Sequence, residues 1–358
     1  FKELTEAAAA LNSNKADQAA YKDNQDLIYN GDLKKWVRLA NSLRLRYALR
    51  LVYVDPALAK QEGEAALAAT GGLLQSNDDN AGVYISGTGA NGWPLFQISG
   101  WGEFCMSKTM ENMLKTTSSV ADPRMPLWFG HTNGSTAENP EFKGIPNGLA
   151  TSDLSNYPAD DRSYVWGLQA MPGWNSKNNS ESSFCVPIRQ KVMSYAEVCL
   201  LKAEAALRGW NGAGDAKANY LAGIKASFEA ERAMVSDASL YSTANDNTYM
   251  TTGKVEWKGD ADFETHLEQI ITQKWLALYP NGTEAWTEFR RTGYPKLTPV
   301  KVSMESTINA ANGEFVKKLR YVDDELRENP NASDKSLNGG KGDGMNVRVW
   351  WDAGNRYK

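Results

Sequence analysis

SYAEVCLLKAEAALRGWNGAGDAKANYLAGIKASFEAERAM, residues 194–234, is the stretch whose reading decides the fold. Ala196, Leu200, Ala203, Leu207 and Trp210 recur every three or four residues, which places them on one face of an α-helix. The loop Gly209-Trp-Asn-Gly-Ala-Gly214 then breaks the helix with Gly209, Gly212 and Gly214. A second arm carries Ala216, Tyr220 and Gly223, close to the A-x3-F-x2-A rhythm of the second helix of a tetratricopeptide repeat. A helical hairpin of this kind leaves one face unburied, and stacking against further hairpins is what buries it.

The same plan appears on either side. From Asp32 to Val54, the residues Leu33, Trp36, Val37, Ala40, Leu43, Tyr47, Leu51 and Val54 form a wide apolar stripe, with Arg44, Arg46 and Arg50 off it. Asp32 after Gly31 is a natural N-cap, Pro56 marks the stop, and a second helix over Pro56–Ala69 completes a hairpin. Downstream, Phe263, Leu267, Ile270, Ile271, Lys274 and Leu278 mark a helix over Asp262–Leu278, with Trp275 alongside. Thr283–Arg291 follows, closed by Gly293 and Pro295. Val322–Asn329 reads as another helix stopped by Pro330, and Asn346–Trp351 as a short strand. Residues 76–187 are different, rich in Gly, Asn, Ser, Pro and aromatics, with a helical pattern only near Ser107–Lys115. Such a stretch is expected to fold as loops with short strands packed on the scaffold. The fold class is therefore mostly α: tetratricopeptide-like hairpins at about 1–75, 194–234 and 262–330, with a loop-rich, ligand-facing region at about 76–187, all in one domain spanning 1–358.

Composition narrows the function. A net charge of −4 over 358 residues offers no field for nucleic acid or an anionic membrane surface. No apolar run approaches the roughly eighteen residues of a membrane-spanning helix. The chain starts at Phe1 with no leader pattern, so any anchor is expected upstream of it. Cys105, Cys185 and Cys199 have neither zinc-site spacing nor the even count of a disulfide framework. The two histidines, His131 and His266, lack a nucleophile-elbow or H-E-x-x-H setting. Asp78-Asp79 and Asp160-Asp161 are adjacent pairs, read as solvated turn residues rather than the two acids that flank a glycosidic bond. The glycine-rich run at 338–344 lacks the P-loop pattern. No catalytic set, cofactor or metal is expected.

Tryptophan placement is the feature left over. Of twelve tryptophans, Trp93, Trp101, Trp128, Trp166 and Trp174 fall in the irregular region, while Trp36, Trp210, Trp275 and Trp286 belong to helical patterns and the core. Asn91-Gly92-Trp93, Gly100-Trp101-Gly102, Trp166-Gly167 and Gly173-Trp174-Asn175 set the ring beside glycine, where little crowds it and it can lie flat. A flat ring suits the C–H face of a pyranose. Trp93, Trp101, Trp166 and Trp174 are therefore the candidate stacking residues, with Asn91 and Asn175 as candidate hydrogen-bonding partners. The competing reading is that a loop tryptophan plugs its loop onto the core, since each ring buries a large area.

Several blocks resemble one family. Ile28-Tyr-Asn-Gly-Asp32 with Ala40-Asn-Ser-Leu-Arg-Leu-Arg46, Ser107-Lys-Thr-Met110, Asp122-Pro-Arg124 and Phe142-Lys-Gly-Ile-Pro-Asn-Gly148 come first. Ser194-Tyr-Ala-Glu197, Glu284-Ala-Trp-Thr-Glu-Phe-Arg-Arg-Thr-Gly-Tyr-Pro295 and Val349-Trp-Trp-Asp352 follow. In this order they are similar to the SusD/RagB outer-membrane nutrient-binding lipoproteins of Bacteroidetes, in the SusD-like second subgroup. The resemblance implies a tetratricopeptide-like scaffold on a lipid-anchored protein at the extracellular face of the outer membrane. It implies an oligosaccharide or polysaccharide ligand, passed to a SusC-like TonB-dependent transporter. A peptide ligand is the alternative, and a glycoside hydrolase a more distant one. It carries no catalytic residues, and it casts Asp122, Arg124, Arg290 and Arg291 as internal ion-pair or capping groups. Members have a lipidated cysteine and further helices before the Ile28–Asp32 motif, so an N-terminal part bearing the anchor is expected to be absent here.

Overall fold

The computed structural model describes residues 1–14, 25–85, 104–136, 138–165, 188–234 and 242–358. In chain order these form α1 (Lys2–Asn14), α2 (Leu33–Arg50), α3 (Pro56–Leu67), β1 (Ala81–Ile85), α4 (Lys108–Thr116), the single turn α5 (Met125–Trp128) and β2 (Ile188–Met193). Then come α6 (Tyr195–Leu207), α7 (Ala216–Arg232), α8 (Asp246–Thr251), α9 (Phe263–Ala277), α10 (Gly282–Thr292), α11 (Asp323–Glu328) and α12 (Pro330–Ser333). The chain is mostly helical, as its periodicity predicts. No helix among the described residues is long and apolar enough to cross a membrane.

Helix starts fall where capping chemistry puts them. The side chains of Asp32, Asp55, Ser194, Asp215, Asp262 and Asn281 each accept a backbone N–H from the first turn of the helix that follows. Each such cap contributes on the order of 1 kcal/mol. Gly293 closes α10 in the left-handed conformation, at φ 72°, which an L-residue adopts only at a cost. The hairpins α2–α3 and α6–α7 pack as pairs, α9 lies against both α6 and α7, and α2 also meets α1 and α6. Gly223 sets the closeness of α6 and α7, because a Cβ there would sit 2.6 Å from Leu200 Cγ.

The arginines of α2 depart from a simple amphipathic picture. Arg46 is 6% exposed and pairs through two nitrogens with Glu197 of α6, at 2.6 and 2.7 Å. Arg50 reaches Glu284 of α10 at 2.5 Å. Tyr47 on the same helix and Val54 just past its end, both on the expected apolar stripe, are exposed, while Leu39, Leu45, Ala48 and Leu49 are buried. Partners on several sides bury α2, and glutamates from α6 and α10 neutralise its arginines, so its core face is rotated from the stripe. The network extends to Arg291 of α10, fully buried between Glu204 and Glu288 at 2.7 and 2.6 Å, and to Lys274 of α9, 3.2 Å from Glu288. These pairs tie α2, α6, α9 and α10 into one body.

Two further expectations are corrected. Residues 346–351 form turns and irregular chain rather than a strand, whereas the helix expected over Val322–Asn329 is present as α11 and ends before Pro330, where the single turn α12 begins. Asp79 is not a solvated turn residue: it is 2% exposed, accepts Gln75 N–H at 2.8 Å and takes both its oxygens to Arg38 at 3.0 and 3.1 Å.

Candidate functional site

Trp93, Trp101, Trp166 and Trp174, with Asn91 and Asn175, lie outside the described residues. What the fold does define is the frame from which their two stretches of chain depart and to which they return. β1 and β2 pair antiparallel with Ile85 opposite Ile188, so the last described residue before the first stretch lies beside the first described residue after the second. Cys105 bridges to Tyr164, so the return of the first stretch at Phe104 sits beside the departure of the second after Val165. The four flanking positions thus form two adjacent pairs. Stretches that are far apart in sequence, 86–103 and 166–187, share both of their anchor points.

A buried cluster holds those anchors. Val165 bridges to Phe129, whose ring lies 5.7 Å from Tyr279, and Tyr279 lies 4.6 Å from Trp128. Trp128 is the one loop-region tryptophan among the described residues, and it is a plug: 1% exposed, its Nε1 donating to Glu231 at 2.8 Å. The other carboxylate oxygen of Glu231 takes Lys191 from β2, and Lys191 also donates to the Tyr279 carbonyl at 2.7 Å. One glutamate on α7 therefore joins the strand that anchors the second stretch to the ring beneath it. Beside it, Arg124 is fully buried and paired with Asp122 at 2.6 Å, its guanidinium 5.3 Å from the Trp128 ring. Burial works against the Arg124 charge, but the Asp122 carboxylate overrides it and raises the guanidinium further above its ordinary value. Burial, with help from the Glu231 charge, pushes the Tyr279 phenol far up, so it stays neutral. The cluster is a buried, hydrogen-bonded footing. The expectation that Asp122 and Arg124 are internal agrees with this, whereas Lys191 and Glu231 carry no sequence signal of their roles, since each looks like an ordinary surface charge in its own element.

Around the anchors the surface is polar with occasional apolar groups. Phe104, next to Cys105, is 48% exposed, an aromatic group that the tryptophan pattern does not include. Asn133 donates to Asp160 at 3.0 Å, and Lys143 sits between Glu141 and Asp161, both at 2.9 Å, whose hydrogen bonds raise its pKa. Asp160 and Asp161 are exposed and occupied by these neighbours. His131 Nδ1 lies 2.9 Å from the Thr132 carbonyl oxygen and 3.2 Å from Ser135 Oγ. His266 stacks on Trp257 at 4.1 Å, with Nε2 2.6 Å from the Lys258 carbonyl oxygen. Among the described residues no group of three His, Cys, Asp or Glu side chains could hold a metal ion. Burial raises the Cys105 and Cys199 thiols, which keeps them protonated and poorly nucleophilic.

The model of the SusD-like family, described as SusD and RagB outer membrane lipoproteins, matches residues 1–352. Among solved structures, a chitin-binding SusD homolog from Flavobacterium johnsoniae is 35% identical, with a TM-score of 0.77, over 98% of this chain and 71% of that one. A SusD homolog from Bacteroides vulgatus is 30% identical, with a TM-score of 0.75, over 100% of this chain and 71% of that one. One from Parabacteroides distasonis is 29% identical, with a TM-score of 0.78, over 98% and 73%. No curated protein matches the chain.

Proposed function

The chain belongs to the SusD-like family of SusD and RagB outer membrane lipoproteins, and from that premise we propose that it is a non-catalytic, cell-surface glycan-binding protein that hands oligosaccharide to a TonB-dependent transporter of the SusC type. The observation that carries this reading is the pairing of the four flanking positions, Ile85 with Ile188 and Cys105 with Tyr164. It brings together the described ends that flank the two stretches, which supports the reading that Trp93, Trp101, Trp166 and Trp174 act on one ligand. In this reading the four rings offer flat faces to a sugar's apolar C–H face, and Asn91 and Asn175 offer amides to its hydroxyls. The chitin-binding homolog supports a chitin-type oligosaccharide as the first ligand to test.

In this reading the whole of 1–358 acts as one unit, lipid-anchored at the extracellular face. Tethering at the transporter mouth lets a modest affinity suffice, because the local concentration of sites is high. Alanine at Trp93, Trp101, Trp166 and Trp174, tested singly, is expected to weaken retention on immobilised chitin oligosaccharide in at least one case while the urea midpoint stays within error of the parent. Normal binding by all four variants, or failure of all four to fold, overturns the site. A reducing-end assay on the same ligands is expected to show no turnover. Selective retention of a peptide library in place of glycans would move the ligand class to peptide.

A further inference from the structure

Glu231 on α7 is buried, and both of its carboxylate oxygens are used. One accepts Trp128 Nε1 at 2.8 Å, and the other meets Lys191 Nζ. These two partners belong to different anchors. Lys191 lies on β2, the strand whose Ile188 pairs with Ile85. Trp128 closes α5 and is followed by Phe129, which bridges to Val165, and by Gly130, whose N–H donates to the Tyr164 carbonyl at 3.0 Å. Tyr164 in turn bridges to Cys105, and Met106 N–H donates to the Ser163 carbonyl at 2.7 Å. One carboxylate therefore lies on a continuous bonded path from the first anchor pair to the second. Lys191 adds a parallel link, since it donates to the carbonyl of Tyr279, whose ring packs on Trp128 and Phe129. Charged hydrogen bonds are strong where water is excluded, and a buried charge that loses its partner is left at a cost.

We propose that Glu231 and Lys191 are positioning residues, which hold the two anchor pairs in one fixed relation and so raise the affinity for a ligand that meets both tryptophan-bearing stretches. The proposal rests on the reading of the protein as a glycan binder. Neither residue touches the ligand. Binding costs less when the anchors are already fixed, because less freedom is lost in forming the complex. Supporting contacts of this kind decide how well a site holds its geometry. β2 does not depend on this link alone, since Arg46 of α2 donates to the Val192 carbonyl at 3.0 Å. Loss of the Lys191 charge thus breaks the link between anchors and leaves the strand attached to the scaffold.

The test is hydrogen exchange read by mass spectrometry on the full chain without ligand, with chitohexaose affinity measured beside it. Lys191→Met is expected to speed exchange about tenfold or more at residues 104–108 and 128–132, while α2 exchanges as in the parent. Lys191 bonds only Glu231 and the Tyr279 carbonyl among the described residues, so an effect there has to travel through the link. Glu231→Gln, the second variant, keeps an acceptor for Trp128 and is expected to act alike, with the double variant no worse than either single one. Lys191→Arg should restore the parent rates. Chitohexaose affinity is expected to fall about three- to tenfold in K191M and to recover in K191R. Glu229→Gln, on the exposed Lys225–Glu229 pair of the same helix, should change neither readout. Faster exchange confined to residues 188–193 overturns the link. A uniform rise that includes α2 reports global loosening and overturns it as well. Faster exchange at both anchors with unchanged chitohexaose affinity overturns the positioning role and leaves the glycan reading standing. A parent chain that binds none of chitohexaose, maltohexaose and cellohexaose overturns the glycan reading instead, and the exchange rates still decide the link.

Discussion

Glu284 and Glu288 stand one turn apart on α10 and both meet Arg50, at 2.5 and 3.4 Å, yet their carboxyls are driven in opposite directions. Burial acts against both charges. At Glu288 it is outweighed by Arg291, Lys274 and Arg50, which hold the carboxyl well below its ordinary value. At Glu284 burial prevails: Arg50 and Arg46 pull the pKa down, Glu197 and Glu288 push it up, and the carboxyl ends raised. Removing the Glu288 charge leaves Lys274 and Arg291 buried with too little counter-charge. Glu288→Gln is therefore expected to cost about 3–5 kcal/mol. Glu284→Gln should cost clearly less, because the folded state already disfavours that charge and Arg50 keeps Glu288. Urea midpoints of the two variants at neutral pH check this, and equal losses would refute the asymmetry.

At the level of elements, the contact between α6 and α7 turns on Gly223. Replacing a mid-helix glycine by alanine usually stabilises a helix by about 1 kcal/mol. Here the new methyl would lie 2.6 Å from Leu200 Cγ and 3.2 Å from the Ala196 carbonyl oxygen. Gly223→Ala is thus expected to destabilise by about 1–3 kcal/mol as the two helices are pushed apart. Thermal melts of G223A beside a G223A/L200A double variant decide the matter. If the cause is the clash, the second substitution should cost less in the G223A background than alone. Additive losses would refute it. In the alternating fit of these hairpins the glycine matters for the space it leaves, and no conformational freedom is needed, since it sits within regular helix.

For the whole molecule, the buried ion network makes stability a function of pH. Glu204 and Glu288 have folded values below their ordinary 4.5, in each case against burial and through arginine neighbours. Groups lowered on folding contribute stability that is fully present above the unfolded value and is lost as pH falls through the folded one. Glu284, raised on folding, has the opposite sign: its contribution is complete below 4.5 and is lost as pH rises through its folded value. With Glu204 lowered and Glu288 held well below its ordinary value, unfolding free energy should hold near neutrality and decline once the pH drops below about 4.5. Denaturant titrations between neutral pH and pH 3 measure this. A flat profile down to pH 3 would mean the network does not couple to folding.

Hairpin scaffold, caps and helix ends were legible in the chain because period and capping chemistry are local: Asp32, Ser194, Asp262 and Gly293 act on their nearest turns. Family membership was legible too, through blocks such as Glu284–Pro295, whose Arg291 and Glu288 prove to be core ion-pair groups. Neither the orientation of α2 nor the burial of Arg46 could be read this way, because each depends on a glutamate about 150 residues later, Glu197, which no periodicity links to it. The same holds for individual rings. Trp128 is a plug because Glu231 and Tyr279 come to meet it, and Trp350 is exposed because Trp351 takes the place between two arginines. Sequence alone determined that tryptophans cluster between the hairpins. Only the tertiary structure, by pairing Ile85 with Ile188 and Cys105 with Tyr164, decided that the two stretches bearing them share their anchors, since strand pairing joins residues through hydrogen bonds that a linear order does not specify.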